Sequence, residues 1–261
     1  MIPRWKQTLR LAYSLVGQLN DPRRWPKLPT ELLRYAGDLR AFRAAATDSV
    51  LNGPLTMEPT LFQRAINSPF DAHYTYQSAW ATKRIVESGV AEHVDVSSSV
   101  PFVAQLAGVL PVTMYEFHAP SIRLPGLTLK EASLLDLPMA DQSVRSLSCL
   151  HVIEHVGLGR YGDPLDPRGT ERALSSLARV LAPGGALYVS APAGKARVAF
   201  NAHRVLDPRA VVAHMAAQGL TLAGFAFIDD AGSLCDPATP DEACDLWYGC
   251  GLYHFTRAEA S

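Results

Sequence analysis

The stretch from Ser143 to Pro192, SVRSLSCLHVIEHVGLGRYGDPLDPRGTERALSSLARVLAPGGALYVSAP, decides the fold of this chain. It holds an apolar run from Leu147 to Ile153 and then a loop rich in glycine, aspartate and proline. A helix with one apolar stripe follows and stops at Pro183-Gly184-Gly185, and a second apolar run, Ala186 to Ala191, comes directly after. This order predicts a βαβ unit, with two parallel strands and a right-handed crossover.

The residues after the first strand of this unit form a candidate site. Parallel sheets bind ligands beyond the carboxyl ends of their strands, which is where His151, Glu154 and His155 fall. The same three residues fit the H-x-x-E-H signature of inverted zinc peptidases. Two histidines four residues apart bind one metal only on a shared helix, and His151 falls within a predicted strand. We therefore expect no metal site and a buried or supporting role for His151.

Alternating strand and helix patterns extend on both sides of this unit. The predicted strands and helices are a helix over 70–88, a strand, turn and helix over 93–108, strands at 111–117 and 127–129, a short helix after Asp207-Pro208, and a closing antiparallel pair at 220–228 and 251–256. The fold class is therefore α/β, a Rossmann-like, doubly wound, mostly parallel seven-stranded sheet. We assign residues 70–261 to this domain and residues 1–69 to an N-terminal helical extension.

Four segments, taken in order, resemble the class I methyltransferases, which use S-adenosylmethionine (SAM). The segments are LLDLPMADQSV (134–144), CLHVIEHV (149–156), LARVLAPGGALYVSAP (177–192) and HRVLDPRAVVAHMAAQGL (203–220). The loop GLGRYGDPLDP is not general to that superfamily and resembles an uncharacterised branch found among bacterial polysaccharide-synthesis genes. The resemblance covers about residues 70 to 257. It implies SAM as the cofactor.

The resemblance also implies where the cofactor binds. The superfamily's acid and Gly-rich turn correspond to Asp95-Val96-Ser97-Ser98-Ser99, where the acid is present and the glycines are not. Serines can donate from hydroxyls and backbone N–H groups at a helix N-terminus, but they adopt positive φ less readily than glycine. Glu116 ends the second strand, where a carboxylate suits the two ribose hydroxyls of a nucleoside. Ser133 and Leu134 correspond to the adenine side.

The candidate catalytic and substrate residues follow the fourth and fifth strands. Methyl transfer to a hydroxyl needs alignment and a proton acceptor, and His155 is the first candidate base, ahead of His203 and Asp163. The 13-residue loop from Gly157 to Gly169 has no helical or strand pattern, and loops of this length are often functional. The candidate substrate-binding residues are Arg160, Tyr161, Asn201 and Arg204, of which the two arginines could hold an anionic group together.

Together these features favour a SAM-dependent methyltransferase that acts on a hydroxyl of a saccharide or saccharide-linked intermediate. The saccharide part rests on the resemblance alone. Two alternatives stay open: a non-catalytic relative that keeps the fold and binds a partner or glycan, and a nucleotide-sugar enzyme that uses the same sheet without SAM. The serines in place of glycines favour the first alternative, and the polar set from His155 to Arg204 opposes it.

Bulk properties limit the partners. The 261 residues carry a net charge of −1, which gives no support to a nucleic-acid partner. Residues 1–43, however, hold nine Lys/Arg and three Asp/Glu. Within them, Trp5 to Leu19 forms a basic amphipathic helical pattern, which predicts contact with a membrane surface, with its own domain or with a second subunit.

The cysteines and the apolar runs indicate the compartment. Four cysteines without a C-x-x-C pair are typical of reduced thiols in the cytoplasm. The start of the chain lacks the pattern of a signal peptide, and no apolar run approaches the roughly 20 residues of a spanning helix. We expect a cytoplasmic protein, with the inner face of the membrane as a further location if the basic helix binds lipid.

Overall fold

The computed structural model describes residues 18–45, 55, 57, 59–63 and 70–259. The chain divides into two compact units, Met1–Pro69 and Phe70–Ser261. Almost all of the helix that the sequence predicts over residues 4–19 lies outside the described residues. No helix in the described part of the chain is long and apolar enough to cross a bilayer.

The described part of the first unit is helical. Asp21 caps a short 3-10 helix, Pro22–Lys27, by accepting a hydrogen bond from the backbone N–H of Arg23 at 3.1 Å. The α-helix α1 (Leu28–Ala45) continues directly from it. The Gln18 side chain donates to the Pro59 carbonyl at 2.9 Å and so ties two segments of this unit together.

The second unit is an eight-stranded sheet with helices on both faces. Its elements are α2 (Ala72–Glu87), β1 (His93–Val96), α3 (Val100–Ala107), β2 (Val112–Glu116), β3 (Leu127–Glu131), β4 (Val144–Leu150), α4 (Gly169–Val180), β5 (Leu181–Ala193), β6 (Arg197–Ala199), β7 (His203–Val205), α5 (Pro208–Ala217), β8 (Leu220–Ile228), β9 (Leu234–Cys235), α6 (Pro240–Ala243) and β10 (Gly249–Arg257). The strand order is β3-β2-β1-β4-β5-β10-β8-β9.

The sheet is parallel on one side and antiparallel on the other. Strands β1 to β5 pair in parallel, and β10 runs antiparallel to both β5 and β8. This confirms the predicted Rossmann-like fold and its closing antiparallel pair. The order changes direction at β1, from which β2 and β4 lead to opposite sides, so a ligand site is expected beyond the carboxyl ends of these strands.

Three details differ from the sequence prediction. Strand β4 ends at Leu150, three residues before the predicted end, because His151 has a φ of 57° and turns the chain out of the sheet. The segment after β5 forms a two-stranded hairpin, β6 and β7, that the sequence does not predict. Its residues mix charges with apolar side chains and lack a regular alternation. The two-residue strand β9 makes eight strands instead of seven.

The helices begin where the sequence supplies caps. Asp71 accepts a hydrogen bond from Tyr74 N at 3.1 Å at the start of α2. At the start of α5, Asp207 accepts one from Arg209 N at 2.9 Å, and Pro208 takes the first helical position. The apolar face of α4 packs on one side of the sheet with residues such as Leu174 and Leu177. Residues of α2 and α3, such as Trp80 and Phe102, pack in a second apolar cluster.

Candidate functional site

A cavity of about 430 Å³ lies beyond the carboxyl ends of β1, β2 and β4. It brings together side chains from both halves of the predicted site. The predicted residues that line it are Ser97, Ser99, Glu116, Ser133, Leu134, His155, Tyr161 and Asp163. Its walls also include Tyr74 of α2, Phe117, His118 and His151.

The turn after β1 takes a conformation suited to glycine although it contains none. Ser97 has a φ of 58°, in the left-handed region that L residues rarely adopt. Its backbone N–H donates to the Tyr115 carbonyl at 2.8 Å, which holds the turn against β2. Ser99 precedes α3 as its cap residue, and its hydroxyl makes no capping hydrogen bond. Ser97 therefore holds a backbone conformation that glycine adopts more readily.

Two of the predicted cofactor residues stabilise this turn through buried hydrogen bonds and do not line the cavity. Asp95 is fully buried and accepts hydrogen bonds from the Ser98 backbone N–H at 3.0 Å and from the Ser98 hydroxyl at 2.6 Å. The Ser98 hydroxyl accepts in turn from Leu150 N at 2.9 Å, across to β4. Burial raises the pKa of Asp95 to about 6. The predicted direct contact of Asp95 and Ser98 with a cofactor is therefore replaced by a supporting role, because their polar atoms face the protein.

Glu116 lies at the cavity wall at the end of β2. Its Oε1 accepts a hydrogen bond from Phe117 N at 2.8 Å and lies 3.3 Å from the Ser97 hydroxyl, which donates to it. These bonds fix one carboxylate oxygen and hold the side chain beside the turn. Next to it, Ser133 Oγ accepts from Leu135 N at 3.2 Å, which shapes the wall that Ser133 and Leu134 contribute.

His155 is held so that one ring nitrogen is ready to accept a proton. Its Nδ1 lies 2.7 Å from the Ala202 carbonyl oxygen, and a carbonyl can only accept, so Nδ1 carries the hydrogen. In the neutral ring Nε2 is then the unprotonated nitrogen. Nε2 lies 3.7 Å from Oε1 of Glu154, which is fully buried.

His151 forms a tighter pair with the same carboxylate, an arrangement that the sequence prediction missed. Its Nδ1 donates to Glu154 Oε1 at 2.7 Å, and both side chains are almost completely buried. Burial by itself lowers the pKa of His151, but the charges of Cys250 and Glu154 outweigh it and raise that pKa well above its usual range. His151 is therefore the buried hydrogen-bond partner of Glu154. The sequence signal for this pair is the H-x-x-E-H spacing of residues 151–155.

The loop after β4 is ordered by its own hydrogen bonds. Asp163 accepts from Gly157 N at 2.6 Å and from Tyr161 N at 3.2 Å. Although burial raises the pKa of Asp163, these backbone donors outweigh it and hold that pKa below its usual value, so Asp163 is a weak candidate base. Tyr161 is half exposed at the cavity, with its ring centroid 5.7 Å from that of His155.

The two candidate arginines do not meet in the cavity. Arg204 is buried and donates to the Val156 carbonyl at 2.6 Å, to Thr170 Oγ1 at 3.2 Å and to the Asp166 carbonyl at 3.2 Å. Arg160 donates to the Ala202 carbonyl at 2.9 Å, and neither arginine lines the cavity. The prediction that they jointly hold an anionic group is therefore wrong, because the guanidinium of Arg204 is used to pin the loop.

The remaining candidates lie in or beside the β6–β7 hairpin. Asn201 is exposed in its turn. His203 packs against Tyr248, with ring centroids 5.0 Å apart, and burial lowers the pKa of its imidazole. Neither residue lines the cavity. Of the three candidate bases, His155 has the position and the free nitrogen that proton transfer needs.

The comparisons with known proteins agree on the fold and leave the reaction open. Residues 140–231 match a family described as "Caenorhabditis protein of unknown function, DUF268". That match runs from the residues before β4 to just past β8, so it leaves the Ser97–Ser99 turn and Glu116 outside. No curated protein matches the sequence.

Several solved structures share the fold at low sequence identity. The [4+2]-cyclase SpnF has a TM-score of 0.53 and 12% identity over 71% of this chain and 82% of its own. A sarcosine dimethylglycine methyltransferase from Galdieria sulphuraria, so described provisionally, has a TM-score of 0.50 and 12% identity over 72% and 86%. The N-methyltransferase NodS from Bradyrhizobium japonicum WM9, in complex with S-adenosyl-L-homocysteine (SAH), has 0.50 and 16% over 71% and 87%. The chain therefore has the Rossmann-like fold of these methyltransferases, a fold that the cyclase SpnF shares.

Proposed function

We propose that this protein is a SAM-dependent methyltransferase whose acceptor is a hydroxyl group. The observation that carries the proposal is a single cavity that joins a nucleoside-type wall to a proton acceptor. The wall consists of the Ser97–Ser99 turn, Glu116 and Ser133–Leu134, and the proton acceptor is His155. If the nucleoside-type wall and His155 lined separate pockets, the structure would favour two separate binding sites over a reaction between their ligands.

The residues present fit SAM. Glu116 keeps one carboxylate oxygen beside the Ser97 hydroxyl and would hold the ribose hydroxyls through charge-assisted hydrogen bonds. Leu134 and Leu135 give the cavity an apolar wall next to Ser133, which suits an adenine ring. The turn at Ser97–Ser99 would hold the methionine end. NodS, a methyltransferase that shares this fold, has been solved in complex with SAH, which supports SAM as the cofactor.

Bound SAM would supply an electrophilic methyl group on a positively charged sulfur. The work of the chain is then to align the acceptor and remove its proton. In such a transfer, Nε2 of His155 would take up the hydroxyl proton of the acceptor. The imidazolium is stabilised by Glu154, 3.7 Å away, and by the Ala202 carbonyl, which accepts from Nδ1. A positioned base of this kind typically contributes about 10²–10⁴-fold in rate.

We further propose a saccharide, or a saccharide-linked intermediate, as the acceptor. The half-exposed Tyr161 ring stands 5.7 Å from His155 and offers an apolar face to a sugar ring. The Arg160 guanidinium lies 5.2 Å from the Tyr161 ring centroid, and this cation–π contact helps to hold the ring in place. The sequence resemblance to a branch near polysaccharide genes supports the same acceptor class.

Isothermal titration calorimetry of the full chain with SAM and SAH tests the cofactor assignment. We expect Glu116→Ala to weaken the affinity by roughly one to two orders of magnitude, because hydrogen bonds to charged groups contribute about 1.5–3 kcal/mol. Glu87→Gln, at an exposed glutamate of α2 paired with Lys83, serves as the control and should bind like wild type. Unchanged affinity in Glu116→Ala would contradict the ribose assignment. Absence of binding by wild type at millimolar cofactor would favour a non-catalytic relative.

A further inference from the structure

Three potential metal ligands from distant parts of the chain converge beside the cavity. They are His73 of α2, His151 after β4 and Cys250 of β10. One ligand atom from each residue lies within 4.8 Å of the other two. The residues are separated by 78 and 99 positions in the sequence, so no local motif announces the cluster. The sequence alone predicts no metal site here.

The hydrogen-bonding state of His151 is the second observation that points to a ligand. Its side chain is 6% exposed, and Nδ1 is used by Glu154. Nε2 is buried without a hydrogen-bond partner among the described residues. Buried polar atoms are satisfied in the great majority of cases, so an unpartnered ring nitrogen next to a buried thiol and a second imidazole calls for an occupant.

We infer that His73, His151 and Cys250 bind a single zinc ion. Imidazole nitrogen and cysteine sulfur are the ligands that zinc prefers, at about 2.0–2.1 Å and 2.3 Å. A tetrahedral ion with these bond lengths sets its ligand atoms roughly 3.3–3.6 Å apart. The present separations of up to 4.8 Å therefore close around the ion by small side-chain rotations. Hard cations such as Mg²⁺ and Ca²⁺ favour oxygen ligands and are not matched here.

The surroundings of the three ligands suit a zinc site. Histidine ligands of zinc usually donate their other ring N–H to a carboxylate, and His151 does so to the buried Glu154. The Tyr74 ring stacks on His151 at a centroid distance of 5.3 Å, and the Tyr248 ring stacks on His73 at 5.4 Å. These rings pack against the faces of the two imidazoles. The Cys250 thiol is itself completely buried.

The zinc site goes beyond the proposed methyl transfer and is independent of SAM. His151 also lines the cavity, so the ion would lie in the cavity wall. Three protein ligands leave one tetrahedral position, as in zinc sites that keep a water molecule. That position would be available to water or to an oxygen of a bound acceptor.

Cobalt titration of the full chain, purified with a chelator and without SAM, tests the inference. We expect one equivalent of Co²⁺ to give ligand-field bands of a tetrahedral ion and a thiolate-to-metal charge-transfer band, and Zn²⁺ to displace it. Cys250→Ala should abolish the charge-transfer band. His73→Ala, at a half-buried position that tolerates truncation more readily, should weaken Co²⁺ affinity at least tenfold. Cys235→Ser, outside the cluster, should leave both signals unchanged.

Three outcomes would overturn the inference. These are no charge-transfer band in wild type, a band that persists in Cys250→Ala, or a His73→Ala variant with wild-type affinity. Circular dichroism and thermal melting of each variant show whether it has folded, and His73→Ala keeps the test decisive if Cys250→Ala does not fold. Calorimetry with SAM is a separate measurement, so failure of the zinc site and failure of the methyltransferase assignment are distinguishable.

Discussion

Ser97 carries the conformation on which the cofactor wall depends. Its φ of 58° places a serine where related folds use glycine, and the bond from its N–H to the Tyr115 carbonyl holds it there. The left-handed region of positive φ is energetically unfavourable for residues other than glycine, and most unfavourable for a β-branched residue. The structure therefore answers the question that the missing glycines raised: the turn forms with serine.

We predict that Ser97→Val lowers the free energy of unfolding by about 1–3 kcal/mol, the usual range for a strained backbone conformation. Ser99→Val is the matched control, because Ser99 has an extended backbone with φ −64° and ψ 139°, which valine accepts. Urea unfolding of both variants measures the difference. Equal destabilisation by the two substitutions would show that the left-handed conformation of Ser97 carries no strain. Ser97→Gly should remain close to wild type.

At the scale of elements, the loop after β4 is built by one buried arginine and two close backbone approaches. Arg204 of β7 donates to the Val156 and Asp166 carbonyls at opposite ends of the loop. A Cβ at Gly157 would overlap the Asp166 carbonyl oxygen, and one at Gly169 would overlap the Val156 carbonyl oxygen. The loop is therefore fixed to the hairpin that follows β5, which explains why Arg204 is unavailable to a ligand.

We predict that Arg204→Lys lowers the free energy of unfolding by about 1–3 kcal/mol, because lysine cannot reproduce the forked donors and leaves buried carbonyls unpaired. Limited proteolysis should then cut the loop faster. Arg160→Lys, at the exposed arginine of the same loop, is the control and should change stability by less than about 0.5 kcal/mol. If the two lysine variants unfold alike, the pinning role of Arg204 is refuted.

Most strands of the main sheet were predictable because their residues either alternate between apolar and polar or are apolar over the full length of the strand. The hairpin was not, because β6 and β7 lack that pattern, and the end of β4 was not, because it depends on the φ of His151. The cavity position of Glu116 and His155 follows from strand ends, which a sequence reveals. The inward orientation of Asp95 and Arg204 depends on partners far along the chain, and the approach of His73 to Cys250 has no local signal at all.

At the scale of the whole molecule, a buried polar chain links the two central parallel strands. His93 of β1 has its two ring nitrogens 2.7 Å from Ser146 Oγ and 2.8 Å from Ser148 Oγ. The Ser148 hydroxyl donates to Asp95, so it accepts from Nε2–H of His93. The neutral ring and the carboxylate are thus coupled through one hydroxyl in the centre of the sheet.

This chain makes stability depend on pH in two opposing ways. Burial lowers the pKa of His93 to about 3, so between about pH 6.5 and 3 the unfolded chain binds a proton that the folded one does not, and stability falls as pH falls. Burial raises the pKa of Asp95 to about 6. Between about pH 6 and 3.8 the folded chain therefore holds a proton that the unfolded one has lost, and stability rises as pH falls.

We predict opposite changes in acid sensitivity from the two substitutions. Between pH 7.5 and pH 5, His93→Gln should lose about 2 kcal/mol less stability than wild type, and Asp95→Asn about 1 kcal/mol more. Urea unfolding at both pH values measures this as a difference of differences, so the general destabilisation of each variant cancels. If stability changes with pH in parallel for wild type and both variants, the effects assigned to His93 and Asp95 are refuted.

The place of β10 in the sheet has a consequence for the order in which the protein can be made. Strand β10 (Gly249–Arg257) lies between β5 and β8 and is the element through which β8 joins the rest of the sheet. During synthesis, β5 and β8 therefore leave the ribosome with open edges, and an open edge is a template for pairing with other chains. The antiparallel half of the sheet, which includes Cys250, can form only after residue 257 has left the ribosome. Until then the open edges of β5 and β8 must be kept from pairing with other chains.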